Sequence, residues 1–212
     1  MRSLGRYWFA WTLVAATFVT SAAPYTALPA TIAIHWNARG VVDGWAPKWE
    51  GAFITPCFAV ILVAFLILIG RWALEEEEDS AAQLKAFLHP TIVAAVAGIC
   101  FYANATVLLV GVGIHLDIPS HAAIGFGLLI AVLGNTLGKI PQNRVVGIRT
   151  PWTLADEEVW CRTHRTAGWL FVMAGIVSAG AGILGDGMVP GLISVGSAAA
   201  ASVGYSYLIS RR

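Results

Sequence analysis

Long apolar runs alternate with short polar segments along the whole chain of 212 residues. A helix needs roughly 20 predominantly apolar residues to cross the hydrocarbon core of a bilayer, and six runs approach or reach that length. The pattern predicts an all-α polytopic membrane protein, a bundle of six transmembrane helices. The predicted spans are residues 7–27, 52–72, 88–114, 121–137, 168–184 and 188–209.

The first run has a second interpretation, because Arg2 and Arg6 precede it and the small residues Ser21 to Ala23 resemble a signal-peptidase site. The run is long for the apolar core of a signal peptide, so we interpret it as a span. The chain then forms one membrane domain in four parts. They are 1–50 (first span and outward loop), 51–138 (spans two to four), 139–167 (cytoplasmic loop and amphipathic helix) and 168–212 (spans five and six).

Composition supports a membrane protein, since 58% of the residues are hydrophobic and only 12% are charged. Ordinary soluble domains carry about 25% charged residues. The net charge of +1 gives no basic footprint for direct nucleic-acid binding. Cys57, Cys100 and Cys161 are far apart and odd in number, which favours free thiols over a disulfide framework.

The lysines and arginines predict the orientation, because cytoplasmic loops of membrane proteins carry an excess of both. Only Arg39 and Lys48 fall on the side of the 28–50 loop, which we therefore place outside the cell. Both termini and residues 139–167 are predicted to be cytoplasmic. The other 11 of the 13 basic residues fall on that side: Arg2, Arg6, Arg71, Lys85, Lys139, Arg144, Arg149, Arg162, Arg165, Arg211 and Arg212.

The outward loop combines a short extended piece at residues 31–34 with turn residues at 37–40 and 43–44. Its polar side chains are His35, Asp43 and Lys48. They indicate either a hydrogen-bonded turn that caps the helix ends or a site that binds a metal or responds to pH. A zinc cluster is a further alternative, formed by His35 with three residues of the next outward loop: His115, Asp117 and His121.

The segment 139–167 holds most of the polar chemistry. Thr150-Pro151 predicts a helix start, with Thr153 and Asp156 as a capping pair, and the helix is predicted to run on toward span five with a bend at Gly168. One helical face collects Glu157, Trp160, Cys161, His164 and Arg165. This face indicates an interfacial amphipathic helix, a docking surface for a partner or, with less support, a metal site of Glu157, Cys161 and His164.

Within the spans, Asn104 and Asn135 indicate interhelical hydrogen bonds or a transport pathway. Small residues predict close helix packing: Gly134 with Gly138, and in span five Gly175, Ser178, Ala179 and Gly182. The acidic run at residues 75–79 predicts a solvated linker. No nucleophile elbow, HExxH motif or phosphate-cradling loop occurs, so we predict no enzyme and no cofactor.

The stretch "GNTLGKIPQNRVVGIRTPWTLADEEVWCRTHRTAG", residues 134–168, resembles the signature of the SdpI family, bacterial membrane proteins that give immunity to a secreted sporulation-delay toxin. The outward "LPATIAIHWNARGVVDGWAPK" resembles the domain of unknown function at the N-terminus of the same family. The resemblance implies a multi-pass immunity protein of the bacterial inner membrane, in contact with the bilayer and a secreted toxin peptide. It also implies that a cytoplasmic repressor of the ArsR type is held at the membrane.

The resemblance carries binding or structural roles to nineteen positions. The cytoplasmic candidates are Asn135, Pro141, Asn143, Gly147, Arg149, Thr150, Pro151, Trp152, Glu158, Trp160, His164, Arg165 and Gly168. The outward candidates are Pro29, His35, Asn37, Gly40, Asp43 and Lys48. One mechanism that links the two sets is a toxin-induced shift of span four against span five. The competing hypotheses are a membrane enzyme or small transporter, with or without a metal, acting on a lipid or envelope precursor, and a scaffold whose polar segments only anchor the bundle.

Overall fold

The structure, a computed structural model, describes residues 4–75, 89–144 and 146–211. Of the residues discussed above, Arg2, Lys85, Leu88, Arg212 and most of the acidic run 75–79 lie outside these ranges. A 3-10 turn, Leu4–Tyr7, precedes the first helix. The helices are α1 (Trp8–Ala22), α2 (Lys48–Glu75), α3 (Pro90–Gly111), α4 (Ile118–Leu137), α5 (Pro151–Ala155), α6 (Glu157–Leu184) and α7 (Val189–Ser210), and the strands are β1 (Thr31–Trp36) and β2 (Val42–Pro47).

The long helices run alternately up and down between two ends of the bundle. At one end, which we call the hairpin end, the β1–β2 hairpin lies near the start of α4 and the Gly187 amide donates to Ser120 Oγ over 3.1 Å. At the other, the signature end, residues 138–156 join α4 to α6 and the Trp152 indole donates to Ser206 Oγ near the end of α7 over 2.9 Å. We call residues 138–156 the signature loop.

Five helices of the described residues are long and apolar enough to cross a membrane: α2, α3, α4, α6 and α7. The first helix, α1, has only 15 residues, although the 3-10 turn extends it at its start. Pro24 and the turns at residues 23–28 follow its end. The prediction of a mostly helical chain with several helices long and apolar enough to span a membrane is confirmed.

The helices pack as two triplets. The N-terminal triplet consists of α1, α2 and α3, and the C-terminal triplet consists of α4, α6 and α7; α3 and α4 make the main contact between them. The N-terminal triplet has a side-chain core in which Ala10, Val14, Ala59, Val63 and Val93 are all buried. The surfaces of the long helices keep large apolar side chains exposed, as lipid contact requires.

In the C-terminal triplet, α4 and α6 approach so closely that backbone touches backbone. A Cβ added at Gly127 would lie 2.5 Å from Gly175 O, and one added at Gly168 would lie 2.9 Å from Gly134 O. Ser178 Oγ donates across the same interface to Ala123 O over 3.0 Å. The predicted packing role of the small residues on spans four and five is therefore confirmed.

Two local predictions need correction, and a third is confirmed. The all-α description omits the antiparallel β1–β2 hairpin, although the extended piece at residues 31–34 falls inside β1. The amphipathic helix runs on into span five, as predicted, in the single helix α6, and Gly168 lies inside this helix and packs directly on α4. The helix that starts at Thr150-Pro151 is the five-residue α5, which ends before Asp156.

Candidate functional site

The centre of the signature end is a stacked pair of rings on α6. Trp160 and His164 lie one helical turn apart, with ring centroids separated by 3.9 Å, and both are essentially unexposed. The Trp160 indole donates to Ile140 O over 2.9 Å. The indole belongs to α6 and Ile140 belongs to the signature loop, so this hydrogen bond fixes the start of the loop onto α6.

His164 uses both ring nitrogens. Its Nε2 accepts from the Ile148 amide over 2.9 Å, which requires an unprotonated nitrogen there. Its Nδ1 therefore carries the proton and donates to Trp160 O over 2.9 Å. A doubly protonated ring would place two N–H donors face to face at Ile148, so this arrangement specifies the neutral ring.

Gly147 makes the contact of the loop with these rings possible. Its φ of +122° lies in the region that favours glycine. A Cβ at this position would collide with His164 Nε2 and would lie 3.0 Å from the outer edge of Trp160. Gly147 is thus a steric requirement of the ring pair and offers no side chain to a partner.

Thr150 and Thr153 build the start of α5. The Thr153 amide donates to Thr150 Oγ1, and the Thr150 amide donates to Thr153 Oγ1 over 2.9 Å, so the two residues form a capping box. Thr153 is fully buried and also donates to Ile148 O over 2.7 Å. The predicted pairing of Thr153 with Asp156 is wrong, because Asp156 caps the separate helix α6 by accepting from the Glu158 and Val159 amides.

Two further side chains tie the loop down. Asn143 is buried, donates to Pro141 O over 2.8 Å and accepts from the Val146 amide over 2.7 Å, which forms a tight turn. Trp152 is half-buried, and its ring meets that of Tyr207 on α7 at 5.3 Å. The loop is therefore attached to both α6 and α7.

The charged members of the signature stay at the surface. Arg149, Glu158 and Arg165 are exposed, and so are Arg144 and Arg162. Arg149 donates to Arg144 O over 2.6 Å, and Arg162 reaches Glu158 over 3.5 Å as a solvent-exposed ion pair. Such a pair adds little stability. These residues form a water-facing charged surface on a fixed loop.

The predicted helical face of five residues is divided by the fold. Trp160 and His164 are buried under the loop, whereas Glu157, Cys161 and Arg165 are exposed. The structure therefore separates the three residues weighed as metal ligands on this helix. Within the described parts of the chain, no three histidine, cysteine or acidic side chains are grouped as a metal site would need.

At the hairpin end, His35 Nδ1 and Asp43 Oδ1 approach to 2.5 Å across the two strands, and both side chains are well exposed. Asn37 shapes the turn by accepting from the Arg39 and Val41 amides. Pro29 is exposed and precedes β1. Because His35 and Asp43 pair on the surface of the hairpin, their carboxylate and imidazole are available to an outside ligand.

The β1–β2 hairpin packs on α2 and α3, Lys48 at the start of α2 bonds to the turn after α1, and Gly40 at the hairpin tip contacts α4. Lys48 Nζ lies 4.8 Å from the centre of the Tyr25 ring and donates to Tyr25 O over 3.4 Å. Gly40, with a φ of +75°, lies against Pro119 at the start of α4, where an added Cβ would meet the proline Cδ at 2.7 Å. The hairpin thus rests on the N-terminal triplet, and its tip touches the C-terminal triplet.

The two intramembrane asparagines have different surroundings. Asn104 on α3 is fully buried and donates to Ser21 Oγ over 3.0 Å, and Ser21 in turn donates to Ala52 O over 2.7 Å. This chain of hydrogen bonds joins all three helices of the N-terminal triplet, so the interhelical interpretation holds for Asn104. Asn135 is exposed on α4, in a groove beside α6.

Between the two triplets lies an apolar cleft with a volume of about 510 Å³. Leu13 and Gly98 line it on the N-terminal side, and Leu128 and Val132 line it on the C-terminal side. Arg6 lies among its lining residues near the start of α1. The cleft marks the interface where the two halves of the bundle are least closely packed.

Sequence reasoning did not select several residues on which this site depends: Gln142, Ile148, Ser206 and Tyr207. Gln142 donates to Thr153 O over 2.7 Å, and Ile148 contributes only its backbone amide and carbonyl. Backbone roles leave no side-chain signal. Ser206 and Tyr207 lie more than 50 residues from Trp152, and only a serine in an apolar run distinguishes the first of them.

Comparison with known proteins gives two family matches. Residues 139–206 match the SdpI/YfhL protein family, and residues 12–60 match a domain of unknown function, DUF1648. The chain is 26% identical over 167 residues to "Immunity protein SdpI" of Bacillus subtilis (strain 168), which covers 79% of this chain and 76% of that protein. No solved structure shows significant similarity. The family resemblance drawn from the sequence is confirmed.

Proposed function

We propose that this chain is a member of the SdpI family, whose model its residues 139–206 match, and that it is a membrane immunity protein that protects a bacterial cell from a secreted toxin peptide. The observation that carries the proposal is its similarity, over most of both chains, to a protein named as an immunity protein. The geometry agrees with a binding protein better than with an enzyme. Its buried histidine and tryptophan hold a loop in place, and its charged residues are displayed.

The proposed arrangement has six spans, with the hairpin end outside the cell and the signature end in the cytoplasm. The 3-10 turn and α1 together extend over about 30 Å at roughly 2.0 and 1.5 Å per residue, which is enough to cross the hydrocarbon core. The distribution of lysine and arginine supports the orientation. It places Arg144, Arg149 and Arg162 in the cytoplasm.

We place the toxin contact on the hairpin. Trp45 and Val41 are about 60% exposed there, next to the His35–Asp43 pair. An apolar surface beside a polar pair at the membrane boundary suits a peptide that approaches along the lipid. The hairpin is also the part of the hairpin end that contacts both triplets.

Toxin binding is transmitted, in this proposal, through the cleft between the triplets. A shift of α4 against α6 would require the glycine contacts at Gly127 and Gly168 to separate, and packed interfaces of this kind do not deform continuously. The α3–α4 contact is smaller and borders the apolar cleft. Because the hairpin tip lies on Pro119, a toxin that moves the hairpin would tilt the C-terminal triplet as one body. Such a switch requires that the toxin bind the two states unequally.

The signature end provides the proposed signalling surface. The loop presents Arg149 and Arg144 to the cytoplasm, and α6 carries the exposed pair of Glu158 and Arg162 at the same end of the bundle. A repressor of the ArsR type, captured on this surface when the triplets tilt, would be removed from its operator. The loop moves as a unit with α6 and α7 because Trp160 and Trp152 attach it to both helices.

The immunity proposal is tested by expressing the chain in toxin-sensitive bacterial cells and measuring survival against toxin concentration. We expect protection by the unaltered chain and its loss when His35→Ala and Asp43→Ala are combined. Asp186→Ala, which removes an exposed acid from the turn between α6 and α7 at the same end, is the matched control and should protect fully. Equal killing with and without the chain, at normal membrane levels, would refute immunity.

Repressor capture is tested separately with a fluorescently tagged ArsR-type repressor in toxin-treated cells. We expect the repressor to move to the membrane with the unaltered chain and to stay cytoplasmic with Arg149→Ala. Arg211→Ala removes a cation from the same end but outside the loop, and should still recruit the repressor. Recruitment that persists in Arg149→Ala and in a variant lacking Arg144 as well would exclude this surface.

A further inference from the structure

A second cavity lies on the outer surface of the C-terminal triplet, between the end of α4 and the beginning of α6. We call it the basic groove; its volume is about 290 Å³. Its floor is formed by glycines, since Gly134, Gly138 and Gly168 line it without side chains. A Cβ added at Gly138 would lie 3.3 Å from Arg165 Cα, so the two helices are as close here as their backbones allow.

Polar side chains stand on both walls of the basic groove at matching depths. Lys139 follows Asn135 by one helical turn at the end of α4, and Arg165 precedes Trp169 by one turn at the beginning of α6. Since the helices are antiparallel, Lys139 and Arg165 lie at the same level, nearer the signature end. Asn135 and Trp169 lie one turn further into the bundle. The arrangement changes from charged to polar and aromatic over about 5 Å of depth.

Both cations of the basic groove are available. Among the described residues, the side chains of Lys139 and Arg165 form no ion pair. Arg162, three residues before Arg165 on α6, is instead paired with Glu158. Both side chains are exposed, and no acidic residue lines the groove. Two unneutralised cations a short distance apart attract an anion with more than one oxygen acceptor.

The position of the groove identifies the source of that anion. Trp169 is 71% exposed on a helix long and apolar enough to cross the membrane, and tryptophan on such a helix is typical of the headgroup level. The exposed apolar residues Met173 and Ile176 continue α6 beyond it into the hydrocarbon region. A ligand held by the cations would therefore have its remaining length directed along an apolar helix surface.

We propose that the basic groove binds the headgroup of one anionic phospholipid. Lys139 and Arg165 hold the phosphodiester oxygens, Asn135 donates to the ester or glycerol region, and Trp169 packs against the start of the acyl chains. The glycine floor lets the headgroup lie between the helices. The bound lipid bridges α4 and α6 next to the segment that supports the signature loop.

The proposal is tested on the purified full-length chain in mild detergent, by titration with phosphatidylglycerol and detection of the bound lipid by native mass spectrometry. A basic residue near a lipid surface contributes about a fivefold gain in affinity. We expect Lys139→Gln and Arg165→Gln each to weaken binding about fivefold and the double variant about 25-fold. Arg162→Gln, with the same loss of charge on the same helix but outside the groove, should leave the affinity within about twofold.

Two comparisons identify the ligand class. Phosphatidylcholine, which has the same phosphodiester but no net charge, should bind much more weakly than phosphatidylglycerol, and millimolar inorganic phosphate should not displace the bound lipid. Equal binding of the two lipids, displacement by phosphate, or an equal loss in Arg162→Gln would each overturn the proposal. Lys139→Arg is expected to bind normally, which separates loss of the charge from loss of the fold.

Discussion

The two triplets hold their polar residues in opposite ways. In the C-terminal triplet, Trp160, His164 and Thr153 are at most 1% exposed and bond inward to a loop. In the N-terminal triplet, the hairpin leaves the His35 and Asp43 side chains 71% and 44% exposed. The same kinds of polar residue are therefore buried and structural in the C-terminal half, and exposed to solvent on the hairpin of the N-terminal half.

Helix packing differs in the same direction. The α4–α6 contact brings glycine backbones together, and α1, α2 and α3 meet through side chains of alanine and valine with one hydrogen-bonded chain at Asn104. Close backbone contact leaves no room for sliding, whereas side-chain contact tolerates adjustment. The C-terminal triplet is therefore the more closely packed half, which supports placing the proposed movement at the interface between the halves.

The largest expected effect comes from Trp160→Ala. The substitution removes a fully buried ring, leaves Ile140 O without its donor and uncovers His164, so the free energy of unfolding should fall by about 3–5 kcal/mol. Denaturant titration of the purified chain in detergent measures it. Trp45→Ala on the hairpin removes the same ring from an exposed position and should change stability by less than about 0.5 kcal/mol. Similar losses in the two variants would remove the distinction between support and display.

A smaller effect is expected from Gly175→Ala on α6. The added Cβ would lie 2.5 Å from Gly127 O and 2.6 Å from the Ala131 amide nitrogen, so overpacking should cost about 1–3 kcal/mol. The control is Gly180→Ala on the same helix, where nothing lies within 4 Å of the added atom. A stable Gly175→Ala variant would mean that the α4–α6 interface adapts, and the placement of movement at the α3–α4 contact would lose its basis.

Much of the architecture could be predicted from the sequence, because a helix that crosses the hydrocarbon core needs roughly 20 apolar residues and such runs are easily recognised. Five of the six predicted spans correspond to helices long enough to cross a membrane, and α1 is shorter because turns beginning at Ala23, around Pro24, replace the expected last turn. For the hairpin, the sequence predicts only an extended piece at residues 31–34 and the turns that follow it. Its second strand, with Gly44 and Pro47, has a weak strand signal and pairs because of the tertiary contact.

The site could be predicted as a segment, but the roles within it could not. The heptad-like spacing put Trp160, Cys161 and His164 on one face, yet a loop covers only part of that face. The covered residues are Trp160 and His164, because Gly147 packs on their rings and the Ile148 amide donates to His164. No sequence pattern predicts either contact. The Thr-x-x-Asp spacing of Thr153 and Asp156 is typical of a capping pair on one helix, but here Thr153 belongs to α5 and Asp156 caps the adjoining helix α6.

A still smaller loss of stability is expected from Asn104→Ala in the N-terminal triplet. The change breaks the hydrogen bond to Ser21 and leaves a small cavity, and interhelical hydrogen bonds in membrane proteins contribute about 0.6–1.7 kcal/mol. Thermal unfolding in detergent measures the loss. Thr12→Ala, which removes an exposed intrahelical hydroxyl from α1, should be nearly neutral. If Asn104→Ala costs as much as Trp160→Ala, the two triplets are equally rigid and the comparison fails.

The smallest effect on stability, paired with a large effect on function, is expected from His35→Ala. Because the His35–Asp43 pair is exposed, its loss should change the free energy of unfolding by less than about 1 kcal/mol. If the hairpin displays its residues to a toxin, protection of toxin-sensitive cells should nevertheless fall sharply at equal membrane levels. Arg39→Ala, at the neighbouring turn, controls for loss of a polar side chain. Full protection by His35→Ala would move the toxin contact off the hairpin, whereas lost protection together with a large loss of stability would show that the hairpin, like the signature loop, is a support.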